Sequence, residues 1–287
     1  MVKRPRCPFC GGESNLKQKL NNRQQWKCKI CKKHYMDDTL TSAKILVFDI
    51  ETSPIEGYVW GAWKQNVYLD QIKQDWFMLS WSAKWLNDCD ILGECLTSKE
   101  ALNKDDKKIV KSLWRLFDEA DILIAHHGKK FDIPKSNQRF LANGLTPPSP
   151  YLVVDTRELA KRQFDFTHNK LDFIASLMGM DRKIPTDFKL WADCMQGDKR
   201  SLDYMLKYNK MDVLILEEIY LGLRGWSKSH PNLGNYDDEF CCSVCASKDL
   251  IKKASYKTQL NTYKTYKCNN CGAYSRQGRK KLTSIAR

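Results

Sequence analysis

The sequence predicts an α/β fold: one mixed sheet with helices on both faces, carrying a small cysteine-rich ribbon at each end. Three observations predict it. Short apolar runs bounded by polar or turn residues recur at 45–50, 76–86, 90–97, 121–125 and 151–154, and read as buried strands. Amphipathic stretches of helical period alternate with the later runs, which gives three strands first and then alternating helices and strands. Eight of twelve cysteines fall in two-residue knuckles at the two ends. A chain of 287 residues is long enough to bury a full α/β core and still carry such appendages.

The charge is strongly basic, with 48 Lys and Arg against 34 Asp and Glu, formally +14. Eight zinc-bound thiolates and two Zn²⁺ would take that from +14 to +10, still basic. A polyanion partner is favoured, nucleic acid first. No lipidation motif or basic amphipathic helix supports a membrane surface, and no apolar run approaches the ~18 residues of a membrane span. Met1-Val-Lys-Arg-Pro-Arg6 lacks the apolar core of a signal peptide. The expected setting is an intracellular, reducing compartment, where paired cysteines are metal sites more often than disulfides.

The first ribbon, 1–40, carries Cys7-X2-Cys10, then seventeen residues, then Cys28-X2-Cys31. The last, 240–287, carries Cys242-X2-Cys245, then twenty-two residues, then Cys268-X2-Cys271. Each is a pair of knuckles separated by room for a hairpin, which is how four soft ligands reach one tetrahedral Zn²⁺. Cys241 adjoins Cys242, and choosing Cys242 restores the two-residue gap; His34 is a weaker substitute for Cys31. Cys89, Cys95, Cys194 and Cys241 read as buried or idle thiols. Between their knuckles both ribbons mix cations and aromatics, among them Arg23 and Trp26 in the first and Lys264 and Tyr266 in the second. Stacking on unpaired bases with phosphate contact suits that mixture, and so does a minimal ribbon core under solvated lysines.

The core is expected over 44–226, with a linker at 227–239. Its first strand ends in Asp49 and Glu51, two apart and so on one face. Two adjacent carboxylates at the end of an apolar strand repel and lose hydration, which a divalent cation relieves; a strand end running into solvent also fits. Residues 53–75, rich in Trp and Tyr, have no period and read as a loop or irregular excursion. A helix over 105–120 sets Ile109, Leu113, Leu116, Phe117 and Ala120 on one stripe. The strand at 121–125 leads into His126-His127-Gly128-Lys129-Lys130-Phe131-Asp132, and a helix follows from about 134 to 142. Asp132 suits a helix start by capping, and equally suits the opening shared with Asp49 and Glu51. Helical segments follow near 156–164, 170–178 and 187–195, then a long helix over 199–224. On that helix Tyr208 and Asp212 are one turn apart. Met205, Ile215, Leu216, Ile219 and Leu223 fall within about 60° of Asp212, so the acid lies in the core-facing stripe or at its edge. A lone carboxylate buried there is costly and calls for a metal or a cation.

Phe48-Asp49-Ile50-Glu51-Thr52, His126-X-Gly128-X-X-Phe131-Asp132 and Tyr208-X3-Asp212 together resemble the three motifs of the DEDD (DnaQ-like) 3′–5′ exonucleases, over roughly 44–224. The tyrosine marks the subclass that includes the proofreading domains of family A and B DNA polymerases. Leu171-Asp-Phe-Ile-Ala-Ser-Leu-Met-Gly179 is similar to the segment before the family's third motif, and the whole layout is similar to stand-alone exonuclease-like proteins of bacteriophages. His127 departs from the pattern, standing where an Asn commonly follows the His, which bears on substrate positioning rather than on metal binding.

The resemblance implies a ribonuclease H-like fold and two Mg²⁺ or Mn²⁺ ions held by Asp49, Glu51 and Asp212, with Asp132 completing the site. It implies a two-metal in-line displacement, with Tyr208 orienting the attacking water. The expected activity is release of nucleoside 5′-monophosphates from the 3′ end of DNA, single-stranded or frayed ends favoured. Lys129 and Lys130 join Arg23, Trp26, Lys264 and Tyr266 as expected nucleic-acid contacts. Two zinc ions would be structural. The expected setting is the cytoplasm, of a host cell for a phage protein, with a replication polymerase as a partner in trans. Two other readings are an adaptor that grips nucleic acid or a polymerase, and an endonuclease or strand-transfer enzyme of the same fold.

Overall fold

The computed structural model describes residues 7, 12–20, 23–32, 34–36, 42–86, 88–180, 184–237, 239–277 and 282–284. Ser14–Leu20 (β1), Arg23–Cys28 (β2) and His34–Met36 (β3) form an antiparallel sheet with β2 in the middle. Trp26 packs there against Cys7 and Cys28 and is only 4% exposed. That corrects the expectation that Trp26 stacks on bases. So small a ribbon needs its indole for its own core, and no indole face is left over. The side chain of Arg23 lies outside the described residues.

The central sheet begins with Ile45–Thr52 (β4). The next segment, expected to be irregular, contains a short antiparallel pair, Glu56–Gly57 (β5) and Ile72–Gln74 (β6). Met78–Trp85 (β7) and Leu92–Cys95 (β8) follow. A short helix that the sequence reading passed over, Ser98–Asn103 (α1), starts at a capping box in which Thr97 and Glu100 each accept from the other's backbone N–H. Lys107–Glu119 (α2), Ile122–Ala125 (β9), Asp132–Ala142 (α3) and Leu152–Asp155 (β10) come next. Then come Thr156–Gln163 (α4), Leu171–Leu177 (α5), Phe188–Met195 (α6) and Lys199–Leu223 (α7). The strand order is β10-β9-β4-β7-β8. β10, β9 and β4 run parallel, and β7 and β8 complete the sheet antiparallel.

The two-residue period of β4 divides the core. Leu46, Phe48 and Ile50 face α2 and α3, with Phe48 edge-on to Phe117 at 4.8 Å. Ile45 and Val47 face the other way, against Val213, Leu216 and Tyr220 of α7. Asp49 and Glu51 continue this second row and so lie under α7. Small residues let the helix come close. Ser82 and Ser80 stand opposite Asp49 and Glu51, and a Cβ on Gly93 would meet Ser82 Oγ at 2.8 Å and Lys210 Cε at 2.9 Å. A buried ion pair pins α7 to the sheet, Lys84 Nζ lying 2.7 Å from both carboxylate oxygens of Glu217. On the opposite face Asp106 ties α2, α3 and β7 together. It accepts from the Met78 amide at 2.9 Å and from Arg139 Nε and Nη2 at 2.6 and 2.7 Å.

Leu250–Lys257 (β11), Thr262–Cys268 (β12), Tyr274–Gln277 (β13) and Leu282–Ser284 (β14) form a four-stranded antiparallel sheet in chain order. It meets the end of α7 closely, since a Cβ on Gly225 would lie 2.0 Å from the Cys271 carbonyl oxygen. No helix among the described residues is long and apolar enough to cross a membrane.

Candidate active site

Asp49, Glu51 and Asp212 each offer a carboxylate oxygen within 4.8 Å of the others. β4 brings the first two, and α7 lays the third across them. Asp132, the first residue of α3, is buried behind this group. Its Oδ1 accepts from the Ile50 amide at 3.3 Å, which fixes the end of β4 between its two acids. Asp132 does not cap α3, since Phe131 holds the cap position with no side-chain cap bond; its carboxylate turns to the strand instead.

The electrostatics follow from burial. Asp49 is held well above the ordinary carboxylate range by burial first, then by Asp132, Glu51 and Asp212. Glu51 is raised by burial and by Asp212 and Asp132, with the Trp191 indole N–H opposing through a hydrogen bond. Asp132 and Asp212 are raised by burial as well, opposed by the Ile50 amide and the Tyr208 hydroxyl respectively. Tyr208 donates to Asp212, and burial and the surrounding acids push its own ionisation far above neutrality. Four carboxyls that resist ionising beside one another make a donor set of hard oxygens lacking a counter-charge. A divalent cation fits such a set, and Asp49, Glu51 and Asp212 are the three whose oxygens come together to hold one.

Two partners were missed in the sequence. Asn209, fully buried on α7, donates from Nδ2 to Asp49 Oδ2 at 2.6 Å. Trp191 of α6 donates to Glu51 and meets the Tyr208 ring edge-on at 6.3 Å. Asn209 left a usable signal, because it falls on the same helical stripe as Asp212. Trp191 left none, since its contact depends on how α6 packs.

The loop before Asp132 is held by Asp155, which accepts from the amides of His127 (3.0 Å) and Lys129 (3.2 Å) as well as capping α4. His127 has φ +70°, in the left-handed region that Asn, Asp and His tolerate best among non-glycine residues. Its ring lies 2.8 Å from Arg157 Nη1. His126 is packed between Thr156 Oγ1 and the Asn169 carbonyl, both at 2.9 Å, and burial lowers its pKa. Lys129 pairs with Glu158 at 2.8 Å, and Lys130 is exposed. A cavity of about 890 Å³ opens beside Tyr208 and Asp212, walled by Leu171, Asp172, Ala175 and Ser176 of α5.

The cysteines group as the spacing predicts. Cys242, Cys245, Cys268 and Cys271 lie within 4.8 Å of one another, and Cys7, Cys28 and Cys31 do the same. Cys10 lies outside the described residues. Sulfur pairs stand at 3.6 Å (Cys7–Cys31), 3.7 Å (Cys242–Cys271) and 3.6 Å (Cys245–Cys268). A zinc tetrahedron with Zn–S near 2.3 Å has edges of about 3.8 Å, so the thiols fit that ion. Cys241 is buried in the main core instead, and His34 Nδ1 points to Lys17 Nζ at 3.5 Å rather than to the thiols. On the second ribbon Lys264 is exposed, while Tyr266 is partly covered by Phe240, edge-on at 5.1 Å.

A family model agrees with this fold. The family model described as RNase_H superfamily matches residues 89–223. A DNA polymerase III of PolC type from Ureaplasma parvum serovar 3 is 26% identical over 237 residues, which is 76% of this chain. The chain spans only 16% of that curated relative's length. A solved family B DNA polymerase from the hyperthermophilic archaeon Pyrobaculum calidifontis is similar over 74% of this chain and 28% of its own, at 15% identity and a TM-score of 0.44. The fold is RNase H-like, a mixed sheet with helices and with terminal cysteine clusters suited to zinc ribbons.

Proposed function

We propose that this chain is a metal-dependent 3′–5′ exonuclease of the tyrosine DEDD type that releases nucleoside 5′-monophosphates from DNA. The observation that carries the reading is the convergence of Asp49, Glu51 and Asp212 within 4.8 Å beneath a helix that also presents Tyr208. A nuclease-like fold with that donor set is equipped for phosphodiester hydrolysis. Similarity to a DNA polymerase III supports DNA as the substrate and a polymerase as the partner in trans.

Asp49, Glu51 and Asp212 would hold Mg²⁺ or Mn²⁺. When bound, such ions stabilise charge on the phosphate oxygens and activate water. The chain supplies the rest. Asn209 and Trp191 orient Asp49 and Glu51, and Asp132 locks the strand between them. Tyr208 stays protonated, so it is not a base; its O–H, given to Asp212 in the metal-free chain, would turn to orient water once Asp212 binds metal. The ribbons, assigned to 1–40 and 240–287 around a core at 44–226, hold structural zinc. Lys129, Lys130 and Lys264 are candidates for phosphate contact.

The test uses a 5′-labelled DNA strand with Mn²⁺, beside the same sequence as a closed circle and as RNA. A ladder shortening from the 3′ end, absent with the circle and with Asp212→Ala, is the expected result. Digestion that survives Asp49→Asn would overturn the reading. Cleavage of the circle would favour an endonuclease, and retention on a gel without digestion an adaptor.

A further inference from the structure

Between Glu51 and the returning strand β7 the chain makes an excursion that the site above does not use. Its neck is closed by two hydrogen bonds. The Ser53 amide donates to the Phe77 carbonyl at 2.9 Å, and the Phe77 amide to the Ser53 hydroxyl at 3.0 Å. Further out the Tyr58 amide donates to the Gln71 carbonyl at 2.9 Å. Beyond that the flap is aromatic and uncovered. Trp60 is 97% exposed and Trp63 87%, with Tyr58, Tyr68 and Leu69 exposed beside them. Rings so fully in water contribute nothing to the core, and several of them exposed on one short excursion mark a contact surface.

The flap is anchored at the carboxylates. It leaves β4 at Ser53, two residues after Glu51. Its return leg ends at Trp76, which is buried against α3 with Lys135 Nζ 3.6 Å from the ring centroid. Lys135 stands one turn along α3 from Asp132, on the same face. Lys135 also lies 5.2 Å from the ring of Phe131, which is exposed and adjoins Asp132. β4, β9 and β10 run parallel, so their carboxyl ends open together on this edge, where α/β sheets take their ligands.

We propose that the flap binds the unpaired bases of the substrate strand beside the reacting end, with Trp60 and Trp63 as the stacking rings. It thereby favours single-stranded over paired 3′ ends. This rests on the exonuclease reading for the identity of the strand as substrate. The occupant follows from chemistry. Four exposed rings offer flat faces that any base can stack on, whereas a paired base already has both faces covered in its duplex. Lys135 lies at the flap's root and Lys64 is exposed on the flap itself, so a polyanion finds cationic partners on this edge. A second copy of a chain carrying +14 does not.

The test is binding in an Asp49→Asn background, which stops digestion without chelating zinc. Fluorescence anisotropy compares a labelled single strand, its duplex, and a strand of abasic residues with the same phosphates. Trp60→Ala with Trp63→Ala is expected to weaken single-strand binding about tenfold or more. The duplex and the abasic strand should change by less than about twofold. Trp60→Phe with Trp63→Phe, which keeps a ring at each position, should retain most of the affinity. Equal weakening on all three ligands, or none on the single strand, would overturn the inference. So would a loss of self-association on light scattering with nucleic-acid binding unchanged. Digestion of the same strand by the unsubstituted protein is scored separately. Ring-dependent binding without digestion removes the nuclease reading and keeps the flap as a single-strand site.

Discussion

Asn209 Nδ2 lies 2.6 Å from Asp49 Oδ2, and the amide that makes this bond is wholly buried one residue after Tyr208. A charge-assisted bond of this kind fixes which oxygen of Asp49 turns toward Glu51 and Asp212. Asn209→Ala should therefore leave the fold intact and lower metal affinity or activity by about 10- to 100-fold. The effect should appear mainly as a higher Mn²⁺ concentration at half-maximal rate. An unchanged half-saturation would mean that Asp49 is oriented without it.

Tyr208 makes a contrasting prediction. Its phenol is surrounded by acids and cannot ionise near neutrality, so its value is as a donor. Tyr208→Phe should leave Mn²⁺ affinity unchanged and reduce turnover by about 10²-fold, the usual cost of one preorganised donor. Titration calorimetry and single-turnover rates on the same preparation separate the two quantities. A fall in metal affinity equal to the fall in rate would reassign Tyr208 to holding Asp212.

Much of this site could be read from periodicity, because charge is conspicuous where the pattern demands apolar residues. Asp49 and Glu51 interrupt a strand row, and Asp212 interrupts a helix stripe. Asn209 lies in that same stripe, but a neutral amide there raises no comparable alarm. Trp191 could not be found, because its partner comes from another element through packing. Trp26 went wrong for the same reason: an aromatic among lysines looks alike whether it faces solvent or the ribbon's own core. The flap's composition was visible, while its exposure is a property of the folded molecule. Helix α1 is too short to show a period, yet Thr97 and Glu100 had already spelled its capping box.

The four carboxyls predict how metal binding responds to pH. All are raised by burial, and Asp49 and Glu51 also by their neighbouring acids, so the folded chain without divalent ions keeps protons that the unfolded chain sheds near pH 4. The folded state then binds more protons, and this part of its stability falls as pH rises toward neutrality. Divalent ions must displace those protons. Mn²⁺ affinity should climb between pH 6 and 8, with about one proton or more released per ion at the lower end. Titration calorimetry in two buffers of different ionisation heat measures that number. Affinity independent of pH across this range would mean the acids are already ionised before metal arrives.

His230 predicts a slope of the opposite sign. It is buried beside the end of α7, with Nε2 2.9 Å from the Tyr220 hydroxyl and Nδ1 2.7 Å from the Pro231 carbonyl. The geometry suits a neutral ring that donates from Nδ1 and accepts at Nε2. Burial first, and then the nearby Arg224, lower its pKa from 6.5 to about 4, with only the Pro231 carbonyl opposing. In the folded state the ring thus stays neutral where the unfolded chain already protonates. The stability it contributes is full above pH 6.5 and is lost as pH falls through about 4. Over that window the loss is roughly 3 kcal/mol. His230→Asn, which cannot titrate, should be less stable than the parent at pH 7.5, and the gap should close by roughly 2–3 kcal/mol at pH 4.5. Urea unfolding of the two proteins at both pH values measures it, and the zinc ribbons, common to both, cancel in the difference. A gap that stays constant would show that the ring is already protonated in the folded protein or reaches water.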